Sequence, residues 1–191
     1  MASSSEVLPI CHLPYLRFGD EKVAFFQGFH GPHHLRNPSM IDLSYAVDLS
    51  VPVGTIVVAA REGMVREFNM WSERFEKRID LGIEEIRRIS SFANWILLQH
   101  VDGTETLYCH LLKDSERVRR GQSVRAGQPL ARTGLSGWIG TEPHLHFHMQ
   151  QWMRPSLSCS RSKGYTKTQP FRFVEYDGPL EHKEIVSSAT H

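Results

Sequence analysis

Residues 144–149 alternate between histidine and an apolar side chain, and this stretch constrains the fold more than any other part of the chain. Successive side chains of a β-strand point to opposite faces, so the three histidines share one face while Leu, Phe and Met share the other. Same-face neighbours lie about 6.6 Å apart, whereas His144 and His148 are about 13 Å apart. At most two of these histidines therefore serve one metal site. A histidine-rich exposed strand without function would show the same alternation.

Further strands are predicted wherever short apolar runs alternate and end at Gly, Pro or Asp-Gly turns. The runs lie at residues 45–49, 55–60, 64–68, 95–100 and 105–111. Residues 51–63 and 118–134 also resemble each other, because each places a Val-x-x-Gly turn ahead of short apolar strands. Such paired units are typical of barrel-sandwich hybrids. The pattern predicts a mainly β chain, an antiparallel sandwich or barrel-sandwich hybrid with a duplicated hybrid motif.

Residues 71–91 interrupt this β pattern. Ile79, Ile83, Ile86 and Ile89 recur at spacings of three and four, with Glu and Arg on the remaining faces. This periodicity predicts one amphipathic helix of about three turns, inserted between the strands. We assign no chemistry to it.

The length of 191 residues predicts one domain rather than two. We expect an N-terminal extension at 1–22, a single domain at 23–178 that includes the helical insertion, and a C-terminal tail at 179–191. Three cysteines without a CxxC pair predict reduced thiols rather than a disulfide framework or a cysteine-built zinc site.

Charge and hydropathy limit the partners. A net charge of +1 gives no electrostatic reason to expect nucleic acid or an anionic membrane. The chain contains no run of about eighteen apolar residues, so no membrane-spanning segment is predicted. The N-terminus lacks the basic start and apolar run of a secretory signal, which favours a cytoplasmic location. A secreted or periplasmic protein with a trimmed N-terminus, or one exported by an unconventional route, would show the same sequence.

Asp48 and His110 are the next candidate site residues. Asp48 lies in the middle of an apolar strand, where a buried carboxylate must be paired, hydrogen-bonded or bound to a metal. In the predicted strand at 105–111, His110 shares a face with Tyr108, opposite a row of apolar residues that includes Cys109. A half-exposed surface histidine would fit the same position.

The segment 27–39 has the Gly, Pro and Asn density of a loop and carries His30, His33 and His34. Loops on a rigid scaffold often supply site residues, and exposed loop histidines without a role are at least as common. The loop histidines are therefore candidates that need a partner elsewhere in the chain.

Three motifs in order resemble one known family. They are Tyr45-Ala-Val-Asp-Leu with the turn after it, Tyr108-Cys-His-Leu, and Gly140-Thr-Glu-Pro-His-Leu-His-Phe. Together they resemble the lysostaphin-type (LytM-type) zinc metallopeptidases, enzymes that cut peptide cross-links of bacterial peptidoglycan. The resemblance extends from about Gly28 to Met149.

The resemblance implies a role for each matching residue. Asp48 and His146 match zinc ligands of the family. His110 and His144 match its two non-ligand histidines, which orient or deprotonate the attacking water and stabilise the tetrahedral intermediate. The implied cofactor is Zn²⁺.

One position departs from the family pattern. The family places its first zinc histidine four residues before the Asp, and this chain has Ser44 there. A hydroxyl is a poor replacement for imidazole on zinc. We expect the preceding loop to supply the third ligand through His34, with His33 as the close second.

The expected function is a zinc endopeptidase acting on glycine-rich or D-amino-acid-containing peptide cross-links of peptidoglycan. The alternative is a catalytically degenerate binding or regulatory protein on the same fold, with or without zinc, favoured by Ser44 and by the missing export signal. A biotinyl or lipoyl carrier is disfavoured, because neither repeated unit places a lysine at a hairpin tip.

Overall fold

The computed structural model describes residues 8–16, 23–32, 34, 36–37, 41–153 and 165–181. Within these residues sixteen strands and one helix form, which confirms the predicted mainly β class with one inserted helix. The strands are β1 (Ile10–Cys11), β2 (Phe25–Gln27), β3 (Arg36–Asn37), β4 (Ile41–Asp42), β5 (Ala46–Ser50), β6 (Ile56–Val58), β7 (Gly63–Asn69), β8 (Phe75–Glu76), β9 (Trp95–Gln99), β10 (Thr104–Cys109), β11 (Ser123–Val124), β12 (Pro129–Arg132), β13 (Gly137–Trp138), β14 (His144–Met153), β15 (Tyr165–Gln169) and β16 (Arg172–Phe173). The helix, α1, is Ile83–Ser90.

Strand β14 is the centre of a ten-stranded sheet. Along one edge it pairs antiparallel with β10. Along the other edge its first half pairs with β5 and its second half with β15, both antiparallel. The histidine-rich strand is thereby hydrogen-bonded on both sides, and its side chains are held between neighbouring strands.

The core lies against one face of β14. Leu145, Phe147 and Met149 have no exposed surface, and Val47 and Leu49 of β5 join them from the neighbouring strand. Burying one such side chain contributes about 1.5–3 kcal/mol, so this face determines the register of the strand. The predicted division of 144–149 into an apolar face and a histidine face is confirmed. The histidine face is itself buried, however, and the rings of His34 and His110 lie against it.

A second layer closes the core from the opposite side. It consists of the antiparallel pair β6–β12, one strand from each of the two units that resemble each other in sequence. Val57 and Leu130 of this pair are fully buried in the same cluster as the apolar face of β14. The Ala60 amide donates to the Tyr108 hydroxyl at 2.9 Å and so connects the second layer to β10.

The inserted helix is shorter than predicted. Residues 83–90 form about two turns, and Ile79 lies outside them in an exposed position. The helix starts after Gly82, which has no side chain to cap it, and residues 75–76 form strand β8 paired parallel to β13. The isoleucine periodicity correctly indicates a helix, but its first residue, Ile79, lies in a bend before the helix begins.

The face of His110 also differs from the prediction. Strand β10 ends at Cys109, and His110 has a left-handed backbone with φ of 64°. This conformation breaks the two-residue alternation. Tyr108 therefore lies in the core, whereas the His110 ring lies 4.7 Å from the His144 ring, measured between centroids.

Both ends of the described chain contact the core. Strand β1 pairs parallel with β16, and Leu13 and Tyr15 are buried beside it. The Phe29 amide donates to the carbonyl of Leu180, which is buried as well. Among the described residues, no helix combines the length and the apolar character needed to cross a bilayer.

Candidate metal centre

The register between β5 and β14 places Asp48 directly opposite His146, although 98 residues separate them in the chain. The side chains of both point to the face away from the core. Asp48 Oδ1 lies 2.8 Å from His146 Nδ1 and 3.8 Å from His144 Nε2. One buried carboxylate thus lies between two imidazoles of the same strand.

His34 reaches the same carboxylate from the loop after β2. The loop turns tightly, because the His34 amide donates to the Gly31 carbonyl at 3.2 Å. Pro32 is the second residue of this turn, a position that its fixed φ suits. His34 Nε2 lies 3.3 Å from Asp48 Oδ2. Among the described residues, neither imidazole nitrogen of His34 has a hydrogen bond, although the residue is only 5% exposed.

Gln27 holds the second oxygen of Asp48. Its Nε2 donates to Asp48 Oδ2 at 3.0 Å, and its own side chain is buried. A Cβ at Gly31 would lie 2.0 Å from Gln27 Cγ, so only glycine leaves room for this glutamine. The sequence analysis did not identify Gln27, which lies at the end of a short strand without any motif around it.

His110, just after β10, and His144, the first residue of β14, complete the cluster. His110 Nδ1 lies 2.8 Å from the Ser136 carbonyl, and His144 Nδ1 lies 2.9 Å from the Glu142 carbonyl. A carbonyl only accepts hydrogen bonds, so each neutral ring carries its proton on Nδ1 and leaves Nε2 as an acceptor. Both rings therefore have the tautomer of a general base.

The electrostatics favour an ionised Asp48 carboxylate and a neutral His110. Burial by itself would raise the pKa of Asp48, but the charges of His144 and His146 and the hydrogen bond from His146 outweigh it and hold that pKa well below its usual range. Burial, together with the charges of His144 and His146, lowers the pKa of His110 to about 3. His110 is therefore neutral near pH 7 and able to accept a proton.

The donor set fits a zinc ion. His34, Asp48 and His146 each offer one ligand atom, and these atoms lie within 4.8 Å of one another. Two imidazoles and one carboxylate are zinc ligands, and three protein ligands are the usual number in a catalytic site. Among the described residues neither buried nitrogen of His34 has a hydrogen bond, and such an ion would take one of the two as a ligand.

The structure brings together all five site residues expected from the sequence: His34, Asp48, His110, His144 and His146. The alternative third ligand, His33, lies outside the described residues. His148, for which the family resemblance implies no role, lies beside His146, with Nδ1 at 3.0 Å from His146 Nε2.

A buried carboxylate and imidazoles gathered on one face of a β-sheet are typical of a metal-dependent hydrolase. The chain belongs to peptidase family M23, whose model matches residues 42–158. The matched region contains Asp48, His110, His144 and His146, whereas His34 precedes it. The resemblance inferred from the three motifs is confirmed.

Two curated proteins show local similarity. Cell division protein DipM of Caulobacter vibrioides is 38% identical over 63 residues, which cover 33% of this chain and 10% of DipM. Peptidoglycan DD-endopeptidase ShyB of Vibrio cholerae is 36% identical over 70 residues, which cover 37% of this chain and 16% of ShyB. The chain thus spans only a small fraction of the length of these relatives. Among solved structures, lysostaphin from Staphylococcus simulans is 27% identical, with a TM-score of 0.46 over 74% of this chain and 46% of lysostaphin.

Proposed function

We propose that this chain is a zinc-dependent metalloendopeptidase that hydrolyses peptide cross-links of peptidoglycan-like substrates. One observation carries the proposal. Three buried ligand atoms converge beside two further imidazoles whose tautomers leave Nε2 free to accept a proton. Ligands for an ion and bases for a proton thus lie in one cluster, as hydrolysis of an amide requires.

His34, Asp48 and His146 would hold the ion. A zinc ion bound there would polarise the scissile carbonyl and lower the pKa of a water molecule to about 7. Asp48 is kept ionised by its neighbours, and Gln27 occupies one lone pair of its Oδ2, so the carboxylate is restricted in orientation. Such support by hydrogen-bonded neighbours is usual for metal ligands.

His110 and His144 would move the proton. Each Nδ1–H is directed to a backbone carbonyl, so neither ring can rotate without losing that bond. The ring that takes a proton from the attacking water becomes a donor, which can then stabilise the developing oxyanion or protonate the leaving amine. Proton transfer by one positioned side chain contributes about 10²–10⁴-fold to the rate.

The substrate class rests on family membership and on the curated relatives, one of which is named for its action on peptidoglycan. The net charge of +1 adds no electrostatic preference of its own.

A non-catalytic binding or regulatory protein is the second candidate, favoured by Ser44 in place of the family's histidine. The hydroxyl of Ser44 donates to Asp42 Oδ1, as does its amide, so this side chain is engaged away from Asp48. The imidazole of His34 lies beside Asp48 instead. That position supports a complete ligand set and hence the enzyme.

The test combines metal content with turnover. We expect about one zinc per chain by mass spectrometry, and cleavage of purified peptidoglycan or of a pentaglycine peptide. In the variant His110→Asn, asparagine tolerates the left-handed backbone and can still donate to the Ser136 carbonyl. Zinc should remain, while turnover falls by about 10²–10⁴-fold.

His30→Asn is the matched control, because His30 also has a positive φ, of 59°, and is exposed. We expect it to change neither metal content nor turnover. Zinc without turnover in the unchanged protein would favour the binding protein, and absence of bound zinc would refute the proposed metal site.

A further inference from the structure

The face of β14 that carries His146 continues past the metal cluster with two more polar side chains, His148 and Gln150. His146 Nε2 lies 3.0 Å from His148 Nδ1, and His148 Nε2 lies 2.9 Å from Gln150 Oε1. Gln150 Nε2 donates at 3.0 Å to Glu105 Oε2. The other oxygen of Glu105 accepts from Arg66. A continuous line of hydrogen bonds thus connects the candidate metal ligand to an arginine on the surface.

This line is held by the sheet rather than by flexible loops. Gln150 lies directly opposite Glu105 in the β10–β14 register, and His148 and Glu105 are 2% and 4% exposed. Arg66 lies where the register between β7 and β9 shifts, and a bulge of this kind redirects a side chain. It can therefore reach a carboxylate two strands away, across β9.

The pair of Glu105 and Arg66 determines which group donates in every hydrogen bond of the line. Arginine only donates and an ionised carboxylate only accepts, so Gln150 must turn its NH₂ group toward Glu105 and its oxygen toward His148. His148 must then donate from Nε2 and accept at Nδ1. Its neighbour His146 must then donate from Nε2, so Nδ1 is the nitrogen that is left to bind an ion.

Nδ1 of His146 is hydrogen-bonded to Asp48 Oδ1 at 2.8 Å. An ion that binds between these two atoms would take the place of the proton on Nδ1, whereas the proton on Nε2 stays in the bond to His148. The hydrogen-bonded line therefore leaves Nδ1 as the ligand atom of His146.

We propose that His148, Gln150, Glu105 and Arg66 form a positioning relay that fixes His146 in the tautomer whose Nδ1 binds the metal. The relay rests on the proposed zinc site, and it assigns a task to His148 and Glu105, neither of which touches the ion. If these hydrogen bonds merely satisfied buried polar groups, donation could run along them in either direction. Here only one direction of donation is compatible with Glu105 and Arg66.

The first measurement is of the tautomers, by ¹⁵N NMR of histidine-labelled full-length protein with and without added zinc. The relay predicts that His148 carries its proton on Nε2 in both samples and that His146 in the zinc sample carries its proton on Nε2. A proton on Nδ1 of His148 would overturn the relay even in a protein that binds zinc. This result is also independent of turnover, so it separates failure of the relay from failure of the proposed function.

The second measurement is zinc affinity by competition with a chelator. Glu105→Gln keeps the shape of the side chain but can donate, so the direction is no longer imposed. We expect the Nδ1–H tautomer of His148 to become populated and the zinc dissociation constant to rise about 10–100-fold, as is usual when a partner of a metal ligand is lost. Glu67→Gln is the matched control, since it removes another carboxylate from an arginine pair, with Arg120. Neither quantity should change there.

A double variant excludes a general loss of structure. Once His148→Phe has interrupted the line, Glu105→Gln should weaken zinc binding little further, so the two effects should not multiply. Multiplying effects, or a Glu105→Gln protein with unchanged tautomer and unchanged affinity, would refute the relay.

Discussion

Replacing His34 with alanine should separate a metal ligand from an ordinary buried residue, because zinc affinity should fall while the stability of the metal-free fold should not. Zinc binding to small four-ligand sites is worth about 10–16 kcal/mol, or roughly 2.5–4 kcal/mol per ligand. At about 1.4 kcal/mol per tenfold change, loss of His34 should weaken zinc binding by about 10²–10³-fold.

The metal-free fold should respond differently. Both nitrogens of His34 are buried without a hydrogen bond among the described residues, and a buried unsatisfied polar group costs about 1–3 kcal/mol. Alanine removes that cost, which offsets the packing lost with the ring. The free energy of unfolding of the metal-free variant should therefore stay close to that of the unchanged protein, or rise.

The assay has two arms. Competition with a chromogenic chelator gives the zinc affinity, and urea unfolding in the presence of EDTA gives the stability of the metal-free chain. His33→Ala serves as the comparison and is expected to leave zinc affinity unchanged. Full zinc affinity in His34→Ala, or loss of affinity in His33→Ala alone, would refute the assignment of His34.

Three further results are expected. Gly31→Ala should force Gln27 from its place, lower stability by about 1–3 kcal/mol in urea unfolding and weaken zinc binding, whereas unchanged values would contradict the close approach at Gly31. Tyr108→Phe should lower stability by about 1–3 kcal/mol, because the buried amide of Ala60 loses its acceptor, and an unaltered urea midpoint would argue against that bond. Burial lowers the pKa of His100 below its ordinary 6.5, so the unfolded chain takes up a proton first as pH falls. The free energy of unfolding of the metal-free protein should then decrease below about pH 6.5. His100→Asn should reduce the slope of that free energy against pH by up to about 1.4 kcal/mol per pH unit, and an identical slope would count against the prediction.

The parts of the site that follow from local pattern could be predicted from the sequence. Alternation in a strand is a property of the backbone, so the faces of residues 144–149 could be derived without any knowledge of their neighbours. Asp48 was recognisable for a similar reason, because a carboxylate in an apolar strand requires a partner.

Other parts depend on backbone geometry that the residue types do not reveal. His110 has a left-handed backbone, and the alternation rule, which assumes an extended one, placed it on the wrong face. The helix prediction failed at Ile79 because the periodicity of apolar residues does not show where the helix begins, and Ile79 lies in a bend before its N-cap, Gly82. The position of His34 depends on a turn that is closed by backbone hydrogen bonds.

Some of the groups that orient the site residues can be recognised from the sequence, and others cannot. His110 and His144 are oriented by carbonyls, which every residue possesses, so no side chain indicates these bonds. The partners of His146 are side chains, and they leave a trace: polar residues continue on the same face of the ligand strand, opposite a carboxylate on the next strand. A strand whose ligand face stays polar after the last ligand therefore indicates a second layer of positioning residues. In this chain that reasoning points to His148 and predicts that its substitution affects metal affinity before it affects the fold.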